Sequence, residues 1–235
     1  MLRSCSIPLL ALLLVGCGTT ASTDANDARA STEWQVDACR QLVLAEPARW
    51  PATMNNVLEL GPEASSTLAA LLREHEEAPG AEAATAVLGR LGGAAARTLL
   101  CELIGDRSTL SGTAALALSD CGTEDEHPLL MATAADRLAD PTLRAACAAT
   151  LLRLGVRREL RALVRGILLA GTPAGRALEQ QLGLPHRPRW AYERYLLQLA
   201  LRDAVGSDFG LDTDAPWAEL ERVANAIDAY LENPQ

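Results

Sequence analysis

"DPTLRAACAATLLRLG", residues 140–155, holds the pattern from which the rest of the chain can be read. It opens on Asp-Pro, where an aspartate can accept hydrogen bonds from the first free N–H groups of a helix and proline suits the first helical position. Small residues and leucines follow at helical spacing, and the stretch stops on a glycine, the residue that most easily closes a helix in the left-handed conformation. Four other segments end the same way: PATMNNVLELG (51–61), EAATAVLGRLG (82–92), GTAALALSDCG (112–122) and PAGRALEQQLG (173–183). Gly61, Gly92, Gly122, Gly155 and Gly183 are spaced by 31, 30, 33 and 28 residues, a periodicity that belongs to repeat architectures.

The columns around these glycines are consistent. Four residues before them stand Val57, Leu88, Leu118 and Leu151, with Glu179 breaking the series. Eight before stand Thr53, Ala84, Ala114, Cys147 and Gly175, small residues of the kind found where two helices approach closely. A second helix follows each glycine, with Leu68, Leu99, Leu129 and Ala162 seven residues on and Ala69, Leu100, Leu130 and Leu163 eight on. Turn or helix-start chemistry separates the units at Ala78-Pro79-Gly80, Asp106-Arg107-Ser108, Asp140-Pro141 and Gly171-Thr172-Pro173.

Composition agrees with an all-α chain. Of its 235 residues 49% are hydrophobic and only 3% aromatic, and alanine and leucine dominate, so the core is made of small side chains with good helix propensity. Every one of the 21 basic residues is arginine, which excludes lysine nucleophiles, Schiff bases and P-loop lysines.

Residues 47–189 resemble HEAT repeats, in particular the short phycobilisome-lyase HEAT-like units that read D-P-x-x-R-x-x-A-x-x-x-L-x-x-L-G; the segment from Asp140 to Gly155 fits best and the others are degenerate. The resemblance implies an α-solenoid of about five helical hairpins, and proteins of this kind are mostly interaction scaffolds, with a few enzymes. A helix around Glu33 to Glu46 is expected to precede the hairpins over 33–189, and a helical cap over 190–235 to close them. Within that cap Gly206-Ser207-Asp208-Phe209-Gly210-Leu211-Asp212 resembles a TG-x-D-F-G-Y-D tail associated with exported HEAT-repeat proteins, with Val205 and Leu211 in place of the threonine and tyrosine.

The N-terminus reads as an export signal. Arg3 precedes an apolar stretch from Ile7 to Val15, too short to span a bilayer, and Leu14-Val15-Gly16-Cys17 resembles the lipobox of bacterial lipoproteins. That resemblance implies a signal peptide over 1–16, cleavage before Cys17, and diacylglyceryl and N-acyl (palmitate) modification there. Several acyl chains, at about 0.8 kcal/mol per buried methylene, hold a protein to a membrane stably. Gly18, where aspartate would resemble an inner-membrane retention signal, favours the outer membrane, and residues 17–32 read as the lipidated cysteine with a flexible polar tether.

Charge is unevenly placed. Residues 18–143 carry 8 arginines and 19 acids, 144–202 carry 11 and 3, and 203–235 carry 1 and 8. Arg157, Arg161 and Arg165 fall at i, i+4 and i+8, a guanidinium stripe suited to carboxylates or phosphates. Two roles fit it: docking an acidic envelope protein or anionic envelope polymer, or a structural role, in which the stripe either faces the acidic C-terminal segment or is merely a solvated face. Nucleic acid is not an expected partner, because the export signal places the domain outside the cytoplasm.

Other candidates are weaker. Cys39, Cys101, Cys121 and Cys147 fall mostly in core columns and are expected as buried thiols rather than disulfides or metal ligands. His75, His127 and His186 have no partner histidine at zinc-binding spacing. Asp208, Asp212, Asp214 and Glu219 sit at positions of a calcium loop, but Gly210, Thr213 and Pro216 occupy others wrongly, and Asp214 is expected to cap the last helix instead. No nucleophile elbow, phosphate loop or carboxylate pair appears, so no catalytic residue, metal or cofactor is assigned. The expected function is a lipid-anchored, monomeric scaffold that binds another envelope protein; the alternatives are a HEAT-like lyase or hydrolase and a structural spacer.

Overall fold

The computed structural model describes residues 21–233 except 137, 174, 175, 178, 179 and 181–190. The chain divides into two units, Met1–Trp34 and Gln35–Gln235, and the packing described below lies in the second. Among the described residues there is helix and no strand.

The first helix, α1, runs Ala21–Val43. Residues 21–32, expected as tether, are therefore helical; the stretch from Thr19 to Glu46 contains neither glycine nor proline to stop a helix and is rich in alanine. Next come α2 (Trp50–Glu59) and α3 (Ala64–Glu74), α4 (Ala81–Leu91) and α5 (Gly93–Gly105), α6 (Ser111–Cys121) and α7 (His127–Ala135), and α8 (Pro141–Arg153) and α9 (Arg161–Leu169). These are four helix pairs, each broken at its glycine; the fifth, with Gly183, lies largely outside the described residues. Helices α10 (Ala191–Val205) and α11 (Trp217–Glu232) follow.

Packing runs in two series. α2 touches α4, α4 touches α6, α6 touches α8 and α8 touches α10; α3 touches α5, α5 touches α7, and α9 touches α11. The C-terminal pair thus continues the first series through α8 and packs on α9, whereas among the described residues the second series has no comparable contact between α7 and α9. The sequence columns explain the first one. Thr53, Ala84, Ala114 and Cys147 are buried, as are Val57, Leu88, Leu118 and Leu151 one turn on, so each first helix presents small and leucine side chains at helical spacing. Gly89 marks a close approach of α4 to α6, since a Cβ there would lie 2.4 Å from the Ala117 carbonyl oxygen. Gly80 does the same for α1: its N–H donates to the Val43 carbonyl at 2.9 Å, and a Cβ would fall on the Leu42 carbonyl oxygen.

The hairpin glycines do not all work alike. Gly61, Gly92 and Gly155 have φ of +78°, +69° and +93°. At Gly155 the Val156 N–H reaches the Leu151 carbonyl and the Gly155 N–H the Leu152 carbonyl, the double closure of a Schellman end. Gly122 instead is extended, with φ −68° and ψ 156°, and glycine is needed there because a Cβ would sit 2.6 Å from the Leu118 carbonyl oxygen.

In the second series the buried stripe is Ala96, Leu100 and Ile104 on α5, and Glu126, Leu130 and Ala134 on and just before α7. In the fourth pair the corresponding residues are Leu160, Val164 and Leu168, one position later relative to the glycine. Ala162 and Leu163, expected inside by column, are exposed and half-buried, because the Gly155-Val156-Arg157 turn is one residue longer before its short 3-10 turn, Arg158–Leu160.

Polar links recur at the repeat interval. Arg73 pairs with Glu102 at 2.7 Å, Arg97 with Glu126 at 3.3 Å, and Arg107 with Asp136, each partner 29 residues on in the neighbouring hairpin. Burial alone would raise the Glu126 carboxyl pKa, but hydrogen bonds from the Thr123 N–H and hydroxyl and the nearby Arg97 guanidinium outweigh it and hold it below the usual carboxylate range. The D-P-x-x-R stretch is accounted for residue by residue. Asp140 Oδ1 accepts from the N–H groups of Thr142 and Leu143 at 2.8 and 3.3 Å, and Arg144, 2% exposed, donates from Nε to the Ala134 carbonyl at the end of α7 at 3.0 Å.

Candidate interaction surface

The arginine stripe is not one helical face. Arg157 precedes the short 3-10 turn, and α9 begins only at Arg161, so i, i+4, i+8 geometry does not hold across the three. All three are engaged by the chain itself. Arg157 donates to the carbonyls of Leu152, of Val156 at 3.2 Å and of Ala204 at 3.3 Å. Arg161 grips Asp228 of α11 with two parallel hydrogen bonds of 2.9 and 3.0 Å and reaches Glu232 at 3.0 Å. Arg165 donates to Asn225 Oδ1 at 2.9 Å. Of the two roles that the charge pattern allows, the geometry is that of the internal one: the acidic C-terminal helix lies along the stripe.

The hydrogen bond from Arg161 and its charge hold the Asp228 carboxyl below the usual range, against the opposing effect of burial, and the same contact pushes the Arg161 guanidinium upward. A carboxylate with a depressed folded pKa adds stability above its unfolded value, near 3.9, and loses it as pH falls through the folded value. Asp228→Asn should therefore lower the melting temperature by a few degrees at pH 7 and leave it unchanged once the medium is acid enough to protonate wild-type Asp228. Melting curves of both proteins from pH 7 to pH 2 check this.

Beside the stripe lies a concavity of about 920 Å³. It is lined by Glu124, His127, Pro128 and Met131 from the start of the α7 region, by Leu154, Val156, Arg157, Arg158 and Glu159 from the α8–α9 turn, and by Asn233. The lining mixes apolar side chains with charges of both signs. Arg158 is exposed and uses only Nε internally, donating to the Glu232 carbonyl at 3.1 Å. Sequence columns point away from this groove: Leu154 sits in the leucine column yet is only half-buried, and Met131 and Val156 carry no signal of their own.

The remaining candidates have structural surroundings. Cys39, Cys101, Cys121 and Cys147 are free thiols. Burial pushes Cys39 and Cys121 up to about 11 and Cys147 to about 12, far from the thiolate that reactivity needs. Asp208 accepts from Gly210 N–H at 3.0 Å, Gln198 at 3.1 Å and Arg202 at 2.7 Å, folding the loop so that Phe209, at φ 56°, meets Tyr230 with ring centroids 5.6 Å apart. Asp214 does not cap α11, whose N-cap is Pro216 without a side-chain hydrogen bond; Asp212 Oδ1 instead accepts from the Asp214 N–H at 3.0 Å. Among the described residues no group of three or more His, Cys, Asp or Glu is placed to hold a metal, and no helix is long and apolar enough to cross a membrane. Cys17 and His186 lie outside the described residues. No protein-family profile, curated protein or solved structure matches the chain.

Proposed function

We propose that this chain is a lipid-anchored α-solenoid of HEAT-like hairpins that binds another protein of the cell envelope. The solenoid reading rests on the repeat-spaced burial columns and on first helices that each pack on the next in one continuing series. Anchoring rests on Leu14-Val15-Gly16-Cys17. The observation that carries the binding role is the groove between α7 and the α8–α9 turn, where apolar Pro128, Met131, Leu154 and Val156 stand beside charged Glu124, Arg158 and Glu159, a mixture suited to a protein-binding surface. Because α11 holds Arg161 and Arg165, an acidic partner meets Arg158, which lines the groove beside Arg157, itself tied to the Val156 and Ala204 carbonyls.

Two measurements test this. Full-length protein made in a bacterium fed labelled palmitate should carry the label, and Cys17→Ala should abolish it. Cross-linking and capture from envelope extract should retrieve a defined protein, and Met131→Glu with Val156→Glu should lose it while circular dichroism and melting stay near wild type. Undiminished retrieval by that double variant would remove the groove from the proposal, and an unlabelled wild type would remove the anchor.

A further inference from the structure

A second groove, of about 600 Å³, runs along α4 and α6 to the ends of α8 and α10, and takes no part in the surface proposed above. Its charged members share one repeat column. Arg90, Asp120 and Arg153 each stand two residues before a hairpin glycine, Gly92, Gly122 and Gly155. Successive first helices thus bring a positive, a negative and a positive side chain to one line, and Asp203 of α10 adds the next negative one. Arg153 is neutralised by Asp203, with contacts of 2.9 and 2.8 Å. Arg90 and Asp120 are exposed and, among the described residues, have no ion-pair or side-chain hydrogen-bond partner. Most other arginines in this part of the chain are engaged, so two adjacent, opposite and unpaired charges in one groove stand out.

The chemistry of the ligand follows from that arrangement. With two arginines and two aspartates among its lining residues the groove is neutral overall, and it selects neither a polyanion nor a polycation. It suits a molecule that carries both charges, separated by the spacing of neighbouring helices. Packed helices lie about 8–10 Å apart, and an extended peptide advances about 3.3–3.6 Å per residue, so about three residues span the gap. Ala86, Ala117 and Ala204 keep the lining low, leaving room for a backbone to lie close to the helices. We infer that this groove binds a short unblocked peptide, its terminal carboxylate on the Arg90 guanidinium and its terminal ammonium on the Asp120 carboxylate.

Titration of the full chain with unblocked trialanine, followed by ligand-observed NMR, tests the assignment. Trialanine should bind, and N-acetylation or C-amidation should each weaken it roughly tenfold, the effect of losing one charge-assisted contact. Arg90→Asp and Asp120→Arg should each abolish binding, whereas the double swap should restore it, with the peptide reversed; a restored complex also shows that the variants are folded. Free alanine and glycerophosphoethanolamine, whose charges are too close together, should bind at least tenfold more weakly. Equal binding of blocked and unblocked peptide, equal binding of glycerophosphoethanolamine, or no binding of trialanine at millimolar concentration would overturn it.

Discussion

Gly89→Ala should destabilise the protein by about 2–3 kcal/mol, although the same change in an ordinary helix interior gains about 1 kcal/mol. Gly89 is buried in the third turn of α4, where the added methyl would lie 2.4 Å from the Ala117 carbonyl oxygen and 2.8 Å from the Ala117 Cβ. Those atoms are a backbone oxygen of α6 and a Cβ fixed directly to that backbone, so neither can swing aside; the two helices must separate. Separation would also loosen Val87 and Leu88, both fully buried. Gly112→Ala, in the first turn of α6, is the matched control: a Cβ there meets nothing within 4 Å, and the reduced freedom of the unfolded chain should raise stability by about 0.5–1 kcal/mol. Thermal melts followed by far-UV circular dichroism should shift in opposite directions, by about 5–10 °C downward for Gly89→Ala and by about 2–4 °C upward for Gly112→Ala. A neutral or stabilised Gly89→Ala would mean that α4 and α6 are not held at the distance on which the first series of helices depends.

How far the sequence can be read depends on how local the cause is. Val57, Leu88, Leu118 and Leu151 are all at zero exposure because one helical period, repeated from pair to pair, decides them. Glycine positions were equally legible, but their reason was not: Gly122 looks like its neighbours in sequence and serves close contact with the Leu118 carbonyl rather than a left-handed turn. One extra turn residue after Gly155 was invisible to a column count and moved the whole α9 stripe, leaving Ala162 outside and Val164 inside. The polarity of residues 21–32 points to a tether, whereas the absence of any helix-breaking residue decides their helical conformation. The arginine stripe illustrates a further limit. Its charge was plain, but Asp228 and Glu232 are more than sixty residues away, and only the packing of α11 on α9 shows that they answer it. The groove was not legible at all, because a concavity belongs to the gap between two hairpins and to no residue in either.

Arg194→Leu should cost about 3–5 kcal/mol and act first on the C-terminal pair, since one side chain there closes several backbone ends. Arg194 is 9% exposed and donates from Nε to the Leu168 carbonyl at 3.0 Å, from Nη1 to the Thr213 carbonyl at 3.1 Å, and from Nη2 to the Ala170 carbonyl. Leu168 and Ala170 lie at the end of α9, where helix carbonyls have no partner of their own and the helix dipole is negative. Burial lowers the pKa of the guanidinium, but an arginine starts so high that it keeps its charge. Leucine would fill much of the volume and leave the three carbonyls without this donor. Arg194→Lys should recover little, because a single ammonium cannot reach three carbonyls with the geometry of a planar fork. Thr213 opens the approach to α11, so hydrogen exchange should quicken at Leu220, Val223 and Ala224 in the variant before it quickens in α4 or α6. If exchange instead rises uniformly along the chain, α11 is not a separately held element. The Arg161 contacts with Asp228 and Glu232 would then have to be counted with the core of the preceding hairpins.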